Sequence, residues 1–153
     1  MYSFALTLHS WLRWLVLIAG ALATSTAIRS WLGGVAWPKS GKVPAFLVFM
    51  IAVDLQLLFG LILWATSPTV LIARAAMGPA MKDPLLRFWA VEHGFTSLIG
   101  VVLVHIGYAL AKREGDATAK FKRSAMLFGF AFVTFLVANP WPFRLVGRPL
   151  FRM

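Results

Sequence analysis

The sequence predicts an all-α integral membrane protein, an antiparallel four-helix bundle forming a single transmembrane domain, and three observations lead there. Hydrophobic residues make up 60% of the 153-residue chain and charged residues only 13%, with a mean hydropathy of +0.80, far more apolar than a soluble domain of this size. The apolar residues fall into four runs, which place spans at about 4–28, 44–66, 85–111 and 121–138. The connections are short enough to join neighbouring helices in one unit, and no internal repeat or low-complexity segment interrupts them.

The first run, Phe4 to Ile28, is broken only by His9 and Arg13. At 1.5 Å per residue it is long enough to cross a hydrocarbon core of roughly 30 Å. Ala21-Leu22-Ala23 resembles a small-residue cleavage site, but no Lys or Arg precedes the run and Arg13 interrupts it, so the segment reads as a retained span rather than a signal peptide. Gly33-Gly34, Pro38 and Gly41 break helix in the loop from Arg29 to Lys42. The second run, Pro44 to Thr66, carries Asp54 and Gln56 near its middle. Between Ser67 and Pro84, the residues Ile72, Ala75, Ala76 and Met77 fit a short interfacial helix lying as a lid over the adjacent end of the helices. The third run, Leu85 to Ala111, holds Glu92, His93 and His105. Lys112 to Arg123 is the most polar stretch and is expected outside the bilayer. The fourth run, Ser124 to about Val137, reaches spanning length only by extending toward Phe121 or Trp141. Asn139-Pro140-Trp141-Pro142-Phe143-Arg144 stops it where an aromatic belt residue meets headgroups.

The cations set the orientation. The loops after the first and third spans carry Arg29, Lys39, Lys42, Lys112, Arg113, Lys120, Lys122 and Arg123, whereas the opposite face has Arg74, Lys82, Arg87, Arg144, Arg148 and Arg152. Retention of Lys and Arg on the cytoplasmic side favours both termini outside, with His9 and His93 near the outer face. The net charge of +10 then anchors the chain to anionic headgroups of the lipid bilayer, and no nucleic-acid partner is expected.

Several chemistries drop out. Cysteine is absent, which removes disulfides, a thiolate nucleophile, Cys-ligated iron–sulfur clusters and covalent haem attachment. No Ser-His-Asp set, His-Glu-x-x-His motif or phosphate-binding glycine loop is present. The chain reads as an electron carrier or complex subunit more readily than as a stand-alone enzyme.

Histidine in hydrocarbon is expensive and marks function. His9 lies about 10 Å beyond Tyr2 and His93 about 9 Å beyond Arg87, so the two share a layer on helices expected to be diagonal across the bundle. A diagonal gap of roughly 11 to 14 Å suits a flat macrocycle between two imidazoles, the arrangement of a six-coordinate haem b. Arg13 follows His9 by about 40° around the helix, placed to pair with a haem propionate or with Glu92. Gly94, Ser97, Gly100, Gly20 and Ala21 let a ring approach, and equally let helices approach each other. Asp54 and Gln56 point about 200° apart; Asp54 is either a proton or hydrogen-bond participant or a structural link between helices, and Gln56 is structural. His105 lies about 18 Å deeper than His93 with no matching histidine, so it is expected as a packed, hydrogen-bonded side chain.

Leu8-His9-Ser10-Trp11-Leu12-Arg13-Trp14, Gln56-Leu57-Leu58-Phe59-Gly60-Leu61, Arg87-Phe88-Trp89-Ala90-Val91-Glu92-His93 and Pro140-Trp141-Pro142-Phe143-Arg144 together resemble a family of small bacterial four-helix membrane proteins labelled cytochrome-b-like. The resemblance covers most of the chain. Members of that family often carry histidine at the position of Asp54, so one possible ligand is missing here while the pair of His9 and His93 stands. Three readings remain open. One is a haem b electron-transfer protein or redox subunit that works with other membrane redox proteins. Another is a non-catalytic accessory or scaffold subunit of a respiratory or photosynthetic complex. The third is a quinone- or proton-linked site without haem, built from Arg13, Arg87, Glu92, His93 and Asp54.

Overall fold

Proline and capping side chains punctuate the chain into helices. The structure is a computed structural model and describes residues 2–151; Arg152, counted above with the outer cations, lies outside the described residues. No strand occurs among the described residues, and four helical stretches are long and apolar enough to cross a membrane. The first is α1 (Tyr2–Leu32), 31 residues or about 46 Å long. α2 (Pro44–Thr66) begins with proline in the first turn after extended Val43, where the missing N–H has no helical partner to lose. It ends at Ser67, whose extended backbone (φ −68°, ψ 126°) is what a following proline imposes.

The segment expected to form one interfacial helix forms two short ones, α3 (Pro68–Ala75) and α4 (Met77–Ala80), and the third apolar run opens with a further short helix, α5 (Pro84–Arg87). The break falls at Ala76, whose backbone (φ −141°, ψ 66°) is not helical. Asp83 caps α5 by accepting the Leu86 N–H at 2.9 Å. A π-helical turn, Phe88–Glu92, then leads into α6 (His93–Ala111). The last helix, α7 (Ala117–Ala138), starts four residues before the sequence expectation, because Asp116 caps it by accepting the Ala119 N–H at 3.0 Å. Lys120 and Lys122 are accommodated by lying over the rings of Trp37 and Trp31, so their charge does not end the helix.

α1 packs against α2 and α7, and α6 packs against the same two helices, which leaves α1 and α6 diagonal to one another. The α6–α7 contact is a glycine-and-phenylalanine zipper. A Cβ on Gly107 would lie 2.7 Å from Cε1 of Phe128, and one on Gly100 2.7 Å from Cζ of Phe135. Glycines and rings recur at the same two-turn interval in opposite order, so α6 and α7 run antiparallel. Phe46 and Phe49 of α2 complete the aromatic core, meeting Phe128 edge to face at 4.8 and 5.7 Å. Ile18, Leu22, Leu58, Leu61, Phe95, Phe130 and Val137 point outward, an apolar exterior that water would penalise and lipid would not.

Candidate functional site

His9 and His93 meet across that diagonal. Their ring centroids are 6.2 Å apart with the ring planes at 75°. Both line one cavity of about 540 Å³, together with Arg13, Gln56, Trp64 and Asn139, within the range of cofactor and ligand sites. Most of the lining is apolar side chain from α1, α2, the π turn and α6.

Each imidazole has one ring nitrogen committed to the protein. His93 Nδ1 lies 2.9 Å from the Ala138 carbonyl at the end of α7. A carbonyl only accepts, so Nδ1 carries the proton and Nε2 keeps its lone pair. His9 Nε2 lies 3.2 Å from the Gln56 amide nitrogen, whereas its Nδ1 is buried with no hydrogen-bond partner. Gly60 makes room for this ring, since a Cβ there would come within 3.2 Å of His9 Cε1. Gln56, expected to be structural, is thus the residue that holds His9. Its signal was in the sequence, because it lies four residues before Gly60 on the same side of α2.

The π turn aims His93. The His93 N–H bonds to the Phe88 carbonyl, five residues back, and the wide turn takes up one more residue than an α-helical turn. It also brings Arg87 and Glu92, five residues apart, face to face as an ion pair; in an α-helix they would be about 140° apart. Arg87 also donates to the Met81 carbonyl at 3.1 Å. Of the sequence-derived set, the structure therefore brings His9, His93 and Arg13 into one cavity, while Arg87 and Glu92 hold each other beside it. Arg13 reaches Asn139 Oδ1 (3.4 Å) and the carbonyls of Pro149 and Leu150 rather than Glu92. Asp54 faces elsewhere and pairs with His105.

The C-terminal strap was not foreseen. After Pro140 the chain turns back, with the Arg148 N–H bonded to the Pro140 carbonyl at 3.0 Å. Phe151 stacks on Trp14 at 5.5 Å, and the Arg148 guanidinium lies 4.8 Å over the Trp89 ring. The strap thereby joins α1 to the π turn, and it brings Arg148 into the cavity wall. Comparison with protein-family models, with curated proteins and with solved structures finds no match to this chain, so the chemistry of the site rests on its geometry.

Proposed function

We propose that the chain is a multi-pass protein of a bacterial cytoplasmic membrane, an antiparallel four-helix bundle with both termini outside, which carries electrons on a haem b held by His9 and His93. The observation that carries this reading is the 6.2 Å spacing of the two imidazoles. Two metal–nitrogen bonds of roughly 2 Å, with about 1 Å from nitrogen to ring centre on each side, would span about 6 Å, so imidazoles at this spacing could both reach one iron.

The donor set supports the same reading. Two imidazoles, each with one nitrogen committed to a protein partner, could give the other nitrogen to a haem iron. The Ala138 carbonyl and Gln56 fix the ring orientations, while Arg13 and Arg148 in the cavity wall would offer cations to the propionate carboxylates. The haem, when bound, supplies a reversible one-electron change at iron. The protein's share is to hold the ligands and exclude water with an apolar wall. Other membrane redox proteins would deliver and remove the electron, whether the chain works alone in the bilayer or as a subunit of a respiratory or photosynthetic assembly.

A second reading has its own support. His9 Nδ1, Gln56 Oε1 and Asn139 Nδ2 are buried without hydrogen-bond partners, and all three residues line the cavity. Such a mixture of donors and acceptors suits a quinone head group, whose oxygens accept when oxidised and donate when reduced.

The test is a reduced-minus-oxidised absorption spectrum of the purified protein with pyridine haemochrome quantification. We expect about one haem b per chain, lost in both His9→Ala and His93→Ala. Colourless wild-type protein from haem-replete cells would overturn the haem reading, and quenching of cavity tryptophans by added quinone would then support the second.

A further inference from the structure

Asp54 and His105 form a polar pair on the two most apolar helices, away from the cavity. Asp54 lies ten residues into α2, about 15 Å from its start, and His105 lies twelve residues into α6. His105 Nε2 is 3.2 Å from Asp54 Oδ1, and the two side chains are 46% and 47% exposed. Around them on the same helices the outward-facing residues are Ile51, Leu55, Leu58, Val102 and Ile106.

The hydrogen-bond inventory fixes what this pair must contain. His105 Nδ1 is 3.0 Å from the Val101 carbonyl, an acceptor only, so Nδ1 bears a proton. If Nε2 were bare, its lone pair would face a carboxylate oxygen at 3.2 Å, two acceptors opposed with nothing between them in an apolar setting. One proton between them resolves this, either as imidazolium with carboxylate or as imidazole with carboxylic acid. In both forms the pair is neutral; without that proton it carries one negative charge among alkyl side chains, the costlier state in lipid.

We propose that Asp54 and His105 together form a proton-binding site, separate from the His9–His93 cavity, that holds one proton between carboxylate and imidazole near the middle of α2 and α6. The other ionisable groups are placed so as to leave this site to itself. Along α6, Tyr108 lies three residues after His105, with the Lys112 ammonium 4.3 Å over its ring. On α1, His9 and Arg13 line the cavity. On α7, Lys120 and Lys122 lie over Trp37 and Trp31. Among the described residues neither member of the pair has another ion-pair partner.

The test is nitrogen NMR of ring-labelled histidine in the full chain in lipid bilayers, with His105 assigned by its disappearance in His105→Asn. The Nε2 resonance separates an N–H or hydrogen-bonded nitrogen from a bare lone pair. We expect the wild type to show a protonated or hydrogen-bonded Nε2 at neutral pH. In Asp54→Leu the partner is removed, and Nε2 should become bare. A bare Nε2 in the wild type, or an Nε2 signal unchanged in Asp54→Leu, would overturn the proposal. Should Asp54→Leu fail to insert, labelling by a lipid-soluble carbodiimide decides the matter. The reagent takes up the shared proton, from either partner, as the carboxyl oxygen bonds its central carbon, so Asp54 must react in the wild type at neutral pH; an unreactive Asp54 overturns the site.

Discussion

The indole N–H of Trp14 donates to the carbonyl of Leu150 at 3.0 Å, so the first helix and the final turns of the chain are fastened to one another beside the histidine cavity. Phe151 stacks on the same indole, and Arg13, the next residue, reaches the carbonyls of Pro149 and Leu150. The cavity is therefore enclosed by two stretches at opposite ends of the sequence, and its integrity depends on both.

Gly147 makes the strap's turn possible. A Cβ there would lie 2.7 Å from the carbonyl oxygens of Trp141, Pro142 and Arg144, backbone atoms that cannot rotate away as a side chain can. Gly147→Ala should release the strap at a cost of about 1–3 kcal/mol. The measurements are protease sensitivity of the C-terminal segment and a red shift of tryptophan emission as Trp14 is uncovered.

Gln56→Leu removes the partner of His9 Nε2 at similar volume. If haem occupies the cavity, its affinity should fall about ten- to a hundred-fold, as for loss of an outer partner of a metal-bound histidine. Haem titration of the purified variant checks this, with secondary structure from circular dichroism as the control. Equal affinity in the variant would separate Gln56 from the ligand's support.

Gly107 and Gly129 should respond oppositely to a methyl group. Replacing helical glycine by alanine gains about 1 kcal/mol, and at Gly129, where the nearest atom is Thr24 Cγ2 at 3.7 Å, nothing opposes it. At Gly107 the new Cβ meets Phe128 at 2.7 Å and Leu127 at 3.2 Å, and overpacking costs roughly 1–3 kcal/mol. Gly129→Ala should raise the melting temperature in detergent, while Gly107→Ala should lower it. Gly107→Ala combined with Phe128→Leu should recover part of that loss relative to Phe128→Leu alone.

Arg87→Gln and Glu92→Gln test whether the ion pair belongs to the site. The two side chains are 41% and 45% exposed, so solvent screening holds the contribution of the pair to below about 1 kcal/mol. Each variant should melt within a few degrees of the wild type, and its affinity for the cavity ligand should be unchanged. A large loss of affinity in either would draw the pair back into the site.

Much of this architecture was legible because hydropathy reports on solvent rather than on partners. Four long apolar runs, and the shared layer of His9 and His93, follow from counting residues along straight helices. What counting misses is local geometry that breaks the count. The π turn gives no hydropathy signal, so the meeting of Arg87 and Glu92 is hidden in the sequence, where Glu92 stands as one of two partners open to Arg13. Gln56 reads as structural, and the angle between it and Asp54 means only that the two cannot face one site; that angle turns Gln56 to His9 and Asp54 to His105. The strap was invisible for another reason. Its contacts join residues some 136 positions apart, and Pro140 with Pro142 suffices to explain a helix stop without implying a return.

The wide turn before His93 has one more consequence. Because Phe88–Glu92 absorbs a surplus residue, α5 and α6 are out of phase by about 100° relative to one unbroken α-helix. Straightening the turn into regular α-helix with all five residues kept would swing the segment before it through more than a quarter of a circle relative to the histidine. Removing one residue together with the turn would restore the present phase. The length of the chain at this point is thus matched to the width of the turn, and changing one without the other is a change of aim.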